Sequence, residues 1–161
     1  MISVLGISGS PRKRGNSTTL MKRFLDGAEA KGARGDIIYL HELSFKGCQA
    51  CLKCSPGGHC VIKDDLTPVF SAMRLADVWV LAAPVYFDGL SGQLKMFFDR
   101  LRHFFYEDGQ RKKMIKGKRR GLFIVTYADD ENQHYLEAVK ATGRYLTWMG
   151  DFGEIEYMMC S

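Results

Sequence analysis

Residues 2–25, ISVLGISGSPRKRGNSTTLMKRFL, decide the fold of this chain. The segment from Ile2 to Ile7 is mostly apolar, which is typical of a buried strand. A polar loop follows, and from Ser17 to Lys31 the apolar residues recur on one helical face: Leu20, Met21, Phe24, Leu25 and Ala28. A buried strand that leads through a short polar loop into an amphipathic helix is the opening unit of an α/β fold with a parallel sheet.

The same alternation continues to the end of the chain. It predicts four further strands, at Asp36–Leu40, Val78–Ala83, Gly121–Thr126 and Glu154–Met159. It predicts three further helices, at Thr67–Leu75, Gly92–Phe105 and Tyr135–Trp148, and we expect Pro84 to break the third strand. The pattern therefore predicts a single domain over residues 1–161, with a doubly wound five-stranded parallel sheet between two helical layers. Such a fold normally ends with one more helix, so we expect a further C-terminal segment or a partner subunit to cover the fifth strand.

Composition and charge favour a soluble cytoplasmic protein. The longest apolar run, Val78–Val85, has eight residues, and the first ten residues lack the basic start of a secretory leader. The formal net charge is +5, with seven cations between Arg111 and Arg120. This segment is expected to be a solvated loop. The alternatives are a docking patch for an acidic electron-transfer partner and a binding site for an extra phosphate group. No nucleic-acid-binding module accompanies the charge, so we expect neither a nucleic-acid nor a membrane partner.

The loop from Ser8 to Thr18 predicts an anion site. Free backbone N–H groups and the positive end of the helix dipole point towards a group bound at a helix N-terminus. Ser10, Asn16, Ser17 and Thr18 can add side-chain donors, and Arg12 can add charge. The glycines fit neither the dinucleotide fingerprint nor the P-loop, which favours a single terminal phosphate. The alternative is a capped turn in which these polar side chains only serve the start of the helix.

The end of the third strand is the second candidate binding segment. In an open sheet of order 2-1-3-4-5, ligands bind beyond the carboxyl ends of the strands, between strands one and three. Pro84, Val85, Tyr86 and Phe87 stand at that point of the sequence. Two adjacent aromatic residues can contact a flat heterocycle, although taken alone they are equally typical of packing.

Four of the five cysteines form a compact cluster at Cys48, Cys51, Cys54 and Cys60. Thiols at this spacing can surround one inorganic centre, and thiolates are the ligands of iron–sulfur clusters. The spacing differs from the bacterial ferredoxin pattern, since five residues separate the last two cysteines. Zinc is an alternative metal for this site, and His59 could replace one of the thiols as a ligand. Binding no metal at all is the third possibility.

Several of these segments together resemble one family. The stretches GISGSPRKRGNSTTL, CVIKDD, APVYF and SGQLKMFFDR, with the cysteine cluster, resemble the NADPH-dependent FMN reductases and iron–sulfur flavoproteins over residues 1–105. The resemblance implies a flavodoxin-like fold, non-covalent FMN, and a homodimer or homotetramer with the flavin near a subunit interface. It also implies a [4Fe–4S] cluster on the four cysteines, although flavin reductases without a cluster carry similar loops.

The resemblance assigns roles to the two binding segments. It implies that the FMN phosphate is held by Ser10, Arg12, Asn16, Ser17 and Thr18. It implies that Pro84, Val85, Tyr86 and Phe87 line the isoalloxazine ring. The segment Thr126-Tyr127-Ala128-Asp129 would close the other side, where many relatives have a glycine-rich turn that this chain lacks.

The sequence therefore predicts an FMN-dependent oxidoreductase. It would move electrons from NADH, NADPH or a reduced protein donor through FMN to a small-molecule or protein acceptor. If the cysteines hold an iron–sulfur cluster, the cluster would split the electron pair into single steps. No side chain is predicted as an acid or base catalyst, and adjacent Asp99 and Arg100 are expected to form a structural ion pair or an interface contact. The rival hypotheses are an electron carrier without NAD(P)H turnover and a non-redox module that binds another ligand.

Overall fold

The computed structural model describes residues 1–54, 57–107, 109–128 and 134–161. Within these residues there are ten strands: β1 Ser3–Ser8, β2 Arg34–Tyr39, β3 Val78–Tyr86, β4 Gly89–Leu90, β5 Tyr106–Glu107, β6 Gln110–Arg111, β7 Ile115–Lys118, β8 Arg120–Thr126, β9 Gly150–Asp151 and β10 Ile155–Cys160. The described part of the chain also has five α-helices: α1 Asn16–Glu29, α2 Leu66–Leu75, α3 Gly92–Arg100, α4 His134–Arg144 and α5 Leu146–Met149. Short 3₁₀ turns follow β2 and α3, at Leu40–Glu42 and Leu101–Phe104.

The central sheet has the strand order β2-β1-β3-β8-β10, and every neighbouring pair on this path is parallel. These are the five strands that the sequence predicts, in the predicted order 2-1-3-4-5. The short strand β4 adds to the end of β3 in antiparallel fashion. The predicted parallel α/β architecture is confirmed, and the point where the strand order reverses lies between β1 and β3.

Side chains alternate between the two faces of the sheet, as strand geometry requires. On one face, Val4, Val80 and Ile124 pack against Met21 and Leu25 of α1. On the other face, Leu5, Ile7, Trp79, Leu81 and Phe123 pack in one core with α2, α3, α4 and α5. Both faces of the central strands are covered by helices, which accounts for the nearly continuous apolar runs of β1 and β3.

The prediction that Pro84 breaks the third strand is wrong, since β3 continues to Tyr86. The Ala82 carbonyl accepts a hydrogen bond of 2.8 Å from the N–H of Gly9, which follows β1. Backbone groups two residues apart in a strand point to the same side, so the backbone nitrogen of Pro84 also points towards the β1 side of β3. The pairing of β1 with β3 ends at Ala82. Because β1 has ended there, the missing N–H of Pro84 costs no ladder hydrogen bond.

Two predicted helices are shorter than the apolar pattern suggests. The α-helical part of the segment 92–105 ends at Arg100 and tightens into the 3₁₀ turn. The predicted helix 135–148 divides into α4 and α5. Both segments keep their apolar faces on the core, which is why the periodicity alone does not reveal the change.

The prediction of a solvated loop for the basic segment is wrong for Arg111 in β6, for Arg120 in β8 and for residues 115–118, which form β7 and pair with β9. Ile115 is buried in the core, and it anchors a strand whose other residues are exposed. Arg119 lies 3.5 Å from the carboxylate of Asp77. Among the helices of the described residues, none is long and apolar enough to cross a membrane.

Candidate functional site

The loop after β1 leads into a helix N-terminus that no side chain caps. Gly15 occupies the N-cap position of α1 and has no side chain to accept the first N–H groups. The first turn of α1 also carries no acidic residue. The positive end of the helix dipole is therefore uncompensated within α1, which favours a bound anion. The alternative that the loop is only a capped turn is not supported by this geometry.

Hydrogen bonds inside the loop hold its shape. The Ser10 hydroxyl donates to the Arg12 carbonyl and accepts from the Arg12 N–H, each at 3.1 Å. The hydroxyl groups of Thr18 and Ser8 lie 2.8 Å apart, and the Thr18 hydroxyl also lies 3.3 Å from the Arg12 carbonyl, to which it donates. The loop is therefore shaped by its own hydroxyl groups before any ligand binds, which reduces the ordering cost of binding.

A tight hairpin connects the end of β3 to β4, next to the loop after β1. Its two central residues, Phe87 and Asp88, have φ angles of 48° and 57°. Both are in the left-handed region, as a two-residue hairpin of type I′ requires, although Asn and Gly are the usual residues there. The Phe87 side chain is fully exposed, so packing within this chain does not explain the strained conformation.

Ser91 joins the hairpin to the loop after β1. Its buried hydroxyl donates a hydrogen bond of 2.7 Å to the Gly9 carbonyl and accepts one of 3.4 Å from the Leu94 N–H at the start of α3. A side chain at position 9 would place its Cβ 2.5 Å from the Cβ of Leu94. Glycine at this position therefore permits the close approach of the two segments.

The two segments and the end of β8 form one open cleft of about 360 Å³. It is called the nucleotide cleft after the ligand that the sequence predicts for it. It is lined by Ser10, Arg12, Arg14, Gly15, Asn16, Ser17, Pro84, Val85, Tyr86, Thr126, Tyr127 and Ala128. The cleft lies at the carboxyl ends of β1, β3 and β8, where open α/β sheets bind ligands. Eight of the ten FMN-binding residues named from the sequence line it.

The other two predicted residues lie elsewhere. Thr18 is buried beneath the loop and supports it, and Phe87 points to solvent from the hairpin. Direct contacts of all ten residues with FMN stay predictions. Asp129, which the sequence also placed beside the flavin, lies outside the described residues.

The sequence reasoning missed three residues at this site. Arg14 lines the cleft and adds a second cation beside Arg12. One ring nitrogen of His41 lies 3.1 Å from the Ser10 carbonyl and fixes it from the side of β2. Ser91 fixes the neighbouring Gly9 carbonyl from the side of α3. Only Ser91 carried a local signal, because serine followed by a helical pattern is a typical N-cap.

All four clustered cysteines line one small cavity of about 20 Å³ under the cysteine loop, residues 47–63. Ala50 and Leu52 both have positive φ angles, 50° and 58°, which bend the backbone on either side of Cys51. The thiol donor set fits an iron–sulfur cluster. Across the described residues, however, no three Cys, His, Asp or Glu side chains are arranged to hold a metal ion. The cavity between the described residues has room for about one water.

Arg100 holds both ends of the cysteine loop. Its buried guanidinium donates to the carbonyls of Lys46 and Ile62 at 2.7 and 3.2 Å, and its Nε donates to the Cys60 sulfur at 3.2 Å. It also forms a salt bridge of 2.7 Å with Asp64. Burial opposes ionisation of Asp64, but the hydrogen bonds from Arg100 and from the Lys46 and Leu66 N–H groups, together with the charge of Arg100, lower the pKa of this carboxyl. These contacts of Arg100 anchor the cysteine loop at both of its ends.

Asp99 and Arg100 do form structural ion pairs, but with other partners and not with each other. Asp99 pairs with Lys95 at 2.7 Å on the exposed side of α3. Successive helix residues point about 100° apart, so Arg100 faces the core while Asp99 faces solvent. Burial raises the pKa of the nearby Cys54 thiol, and the positive charge of Arg102 only partly opposes this.

A doubly wound parallel sheet with an uncapped helix N-terminus at its switch point defines a flavodoxin-like α/β protein. The chain belongs to the NADPH-dependent FMN reductase family, whose model matches residues 2–155. The resemblance seen in the sequence motifs is therefore confirmed.

Curated relatives include iron–sulfur flavoproteins of archaea. One from Methanocaldococcus jannaschii is 41% identical over 101 residues, which are 63% of this chain and 52% of that protein. Another from Methanosarcina thermophila is 37% identical over 99 residues, which are 62% of this chain and 52% of that protein. The chain spans about half the length of these curated relatives.

Solved structures share the fold at low sequence identity. An NAD(P)H:quinone oxidoreductase from Methanothermobacter marburgensis superposes with a TM-score of 0.73 at 14% identity, over 98% of this chain and 84% of that one. An FMN-dependent NADH-azoreductase from Bacillus anthracis, in complex with FMN, gives 0.68 at 15% identity, over 98% and 86%. These similarities establish the flavodoxin-like architecture.

Proposed function

We propose that this chain binds FMN in the nucleotide cleft and serves as an oxidoreductase that moves electrons from NAD(P)H or a reduced protein donor to an acceptor. The observation that carries the proposal is the convergence of three distant segments, 10–17, 84–86 and 126–128, on one cleft. Membership of the NADPH-dependent FMN reductase family supports the same ligand. When bound, FMN accepts a hydride and passes on electrons singly or in pairs.

The loop end of the cleft would hold the FMN phosphate. Ser10 and Ser17 are buried at its base, while Arg12, Arg14 and Asn16 are exposed at its rim. The backbone N–H groups of the first turn of α1 would bind phosphate oxygens, and the two arginines would add charge-assisted hydrogen bonds. Thr18 would act indirectly, through the hydrogen bonds that fix the Arg12 carbonyl.

The strand end of the cleft would hold the flavin ring. Tyr86 is half exposed at the end of β3, and Tyr127, just after β8, packs its ring at 4.9 Å from that of Tyr135. Aromatic side chains at these two strand ends can contact a flat ring system. Phe87 stands exposed beside this opening, where it would cover the flavin rim or contact a second subunit of a homodimer or homotetramer.

The cysteine loop supports a finer proposal, a [4Fe–4S] cluster on Cys48, Cys51, Cys54 and Cys60. Four thiols line one cavity, Arg100 anchors the loop, and two archaeal relatives are named iron–sulfur flavoproteins. Arg100 and Arg102 at the cavity would offset part of the negative charge of a thiolate-bound cluster. Zinc on the same thiols and an empty loop are the outcomes that would replace this proposal.

The function is tested by mixing FMN-saturated protein with NADH or NADPH in the absence of oxygen and following the oxidised-flavin absorbance. We expect rapid bleaching with at least one of the two nucleotides. Bleaching by dithionite but by neither nucleotide would contradict the reductase and support an electron carrier. The matched control is free FMN with the same nucleotides, which measures the uncatalysed rate.

A further inference from the structure

A second cavity, the aromatic pocket, lies beside the cysteine loop. It has a volume of about 520 Å³, and ring-bearing or cationic residues make up most of its lining, including Phe105, Tyr145, Trp148, Arg102 and Arg111. Small-molecule sites usually occupy about 300–1,000 Å³. None of its described lining residues belongs to the nucleotide cleft, and Cys48 and Ala50 line both this pocket and the cysteine cavity.

Three aromatic rings form one wall of the pocket. The rings of Phe105 and Tyr145 lie 6.1 Å apart, and those of Tyr145 and Trp148 lie 4.8 Å apart, both in edge-to-face geometry. Tyr145 and Trp148 are each nearly half exposed, at 43% and 48%. Two large aromatic side chains held side by side but left accessible are typical of a surface that binds a flat apolar group.

Two arginine side chains lie against aromatic rings that line the pocket. The guanidinium of Arg102 lies 4.4 Å from the centroid of the Tyr106 ring, and that of Arg111 lies 5.1 Å from the Trp148 ring. Hydrogen bonds from Arg111 and Arg102 to the Tyr106 hydroxyl lower its pKa. The Arg102 Nε is buried without a hydrogen-bond partner among the described residues.

Among the described lining residues, the carboxylate of Asp99 does not pair with these arginines. Asp99 is the acidic side chain among the described lining residues, and it is bound to Lys95 at 2.7 Å. An adjoining cavity of about 240 Å³ shares Phe105, Arg111 and Trp148 and adds Lys112 and Lys113 to its lining. The described residues of the pocket therefore combine aromatic surface with an excess of positive charge, as needed to bind a ring and an anionic group together.

We propose that the aromatic pocket is a binding site for a planar aromatic molecule with an anionic substituent, such as an aromatic carboxylate or sulfonate. The ring packs against Tyr145 and Trp148, and the anionic group is bound by Arg111 and Arg102. This site is separate from the nucleotide cleft, so the proposal does not depend on the proposed function.

Calorimetric titration of FMN-saturated protein with three probes tests the proposal. The probes are 2-naphthoate, neutral 2-naphthamide, and cyclohexanecarboxylate, which is anionic but not aromatic. We expect 2-naphthoate to bind at least about tenfold more tightly than either other probe. Equal affinities for 2-naphthoate and 2-naphthamide, or for 2-naphthoate and cyclohexanecarboxylate, would overturn the proposal. So would binding that occurs only when FMN is absent, because the probe would then occupy the nucleotide cleft.

Variants locate the binding site. Arg111→Gln, at an exposed position, should weaken 2-naphthoate binding about tenfold and leave 2-naphthamide binding unchanged. Trp148→Leu should weaken binding of both aromatic probes. The matched control is Arg23→Gln, which removes an exposed arginine of α1, paired with Asp26 on the other face of the sheet, and should change neither. If Trp148→Leu altered only the oligomeric state and no probe affinity, the aromatic wall would be a contact between copies, and the proposal would fail.

Discussion

The Ser91 hydroxyl donates a hydrogen bond of 2.7 Å to the carbonyl of Gly9, 82 positions earlier in the chain. This bond joins the two segments that form opposite ends of the nucleotide cleft, the loop after β1 and the hairpin after β3. Both partners are buried, so water does not substitute for either of them. The geometry of the cleft thus depends on a residue that does not line it.

The first prediction concerns this bond. Ser91→Ala should lower the free energy of unfolding by about 1–2 kcal/mol, because it leaves the Gly9 carbonyl without its partner and removes the cap of α3. Urea unfolding measures the change. Ser71→Ala is the matched control, since its hydroxyl is exposed and bonds only within α2, and it should cost less than about 0.5 kcal/mol. Equal losses in the two variants would contradict the role assigned to Ser91.

The second prediction concerns the left-handed conformation of Phe87. Phe87→Gly should be more stable than Phe87→Ala by about 1 kcal/mol, because glycine alone adopts a positive φ without steric cost. Unfolding experiments on both variants measure the difference. The same pair of substitutions at Leu75, an exposed residue at the end of α2, should give the opposite order. An alanine variant more stable than the glycine variant at position 87 would show that the turn is not strained.

The third prediction concerns pH. Burial lowers the pKa of His103 to about 4, while an unfolded histidine titrates near its ordinary value of 6.5. The unfolded chain therefore binds this proton first, and the stability that neutral His103 preserves above pH 6.5 should be lost as the pH falls towards 4. The total loss should be about 3 kcal/mol. His103→Gln should remove this part of the pH dependence, whereas the exposed His59→Gln should retain it; an unchanged slope in His103→Gln would refute the assignment.

The fourth prediction concerns the cysteine loop. Protein purified without oxygen should contain about four irons and matching acid-labile sulfide per chain. Cys48→Ser and Cys60→Ser should lose most of both, while Cys160→Ser, at the end of β10, should keep them. Metal analysis of the four samples makes the comparison. Zinc in place of iron would select the zinc alternative, and absence of metal in the wild type would leave the loop without a metal role.

Much of the fold can be predicted from sequence because it follows local periodicity. The apolar run of β1 and the helical stripe with Met21 and Leu25 are short-range patterns, and the switch point follows from the strand order. Most of the cleft residues are also predictable, since they stand at strand ends and at a helix start. The roles of Ser91, Arg100 and His41 are not predictable, because each depends on which distant backbone groups the fold brings within hydrogen-bond reach.

The backbone conformations of some single residues also cannot be predicted from the sequence pattern. Pro84 normally ends a strand, and only the early end of β1 beside it makes a proline acceptable there. Phe87 has no sequence signal for a positive φ, since the residues usual in such a turn are asparagine and glycine. Such exceptions to local rules concentrate at functional sites, and these two flank the nucleotide cleft.

The central claim, that the cleft binds FMN through its phosphate, is tested most directly by the dissociation constants of FMN and riboflavin. Quenching of flavin fluorescence measures both, for the wild type, Arg12→Gln and the control Lys13→Gln, whose lysine pairs with Glu42 outside the cleft lining. We predict that FMN binds about a hundredfold more tightly than riboflavin, and that Arg12→Gln weakens only FMN binding, by about tenfold. Equal affinities of the wild type for FMN and riboflavin, or no binding of either, would contradict the account.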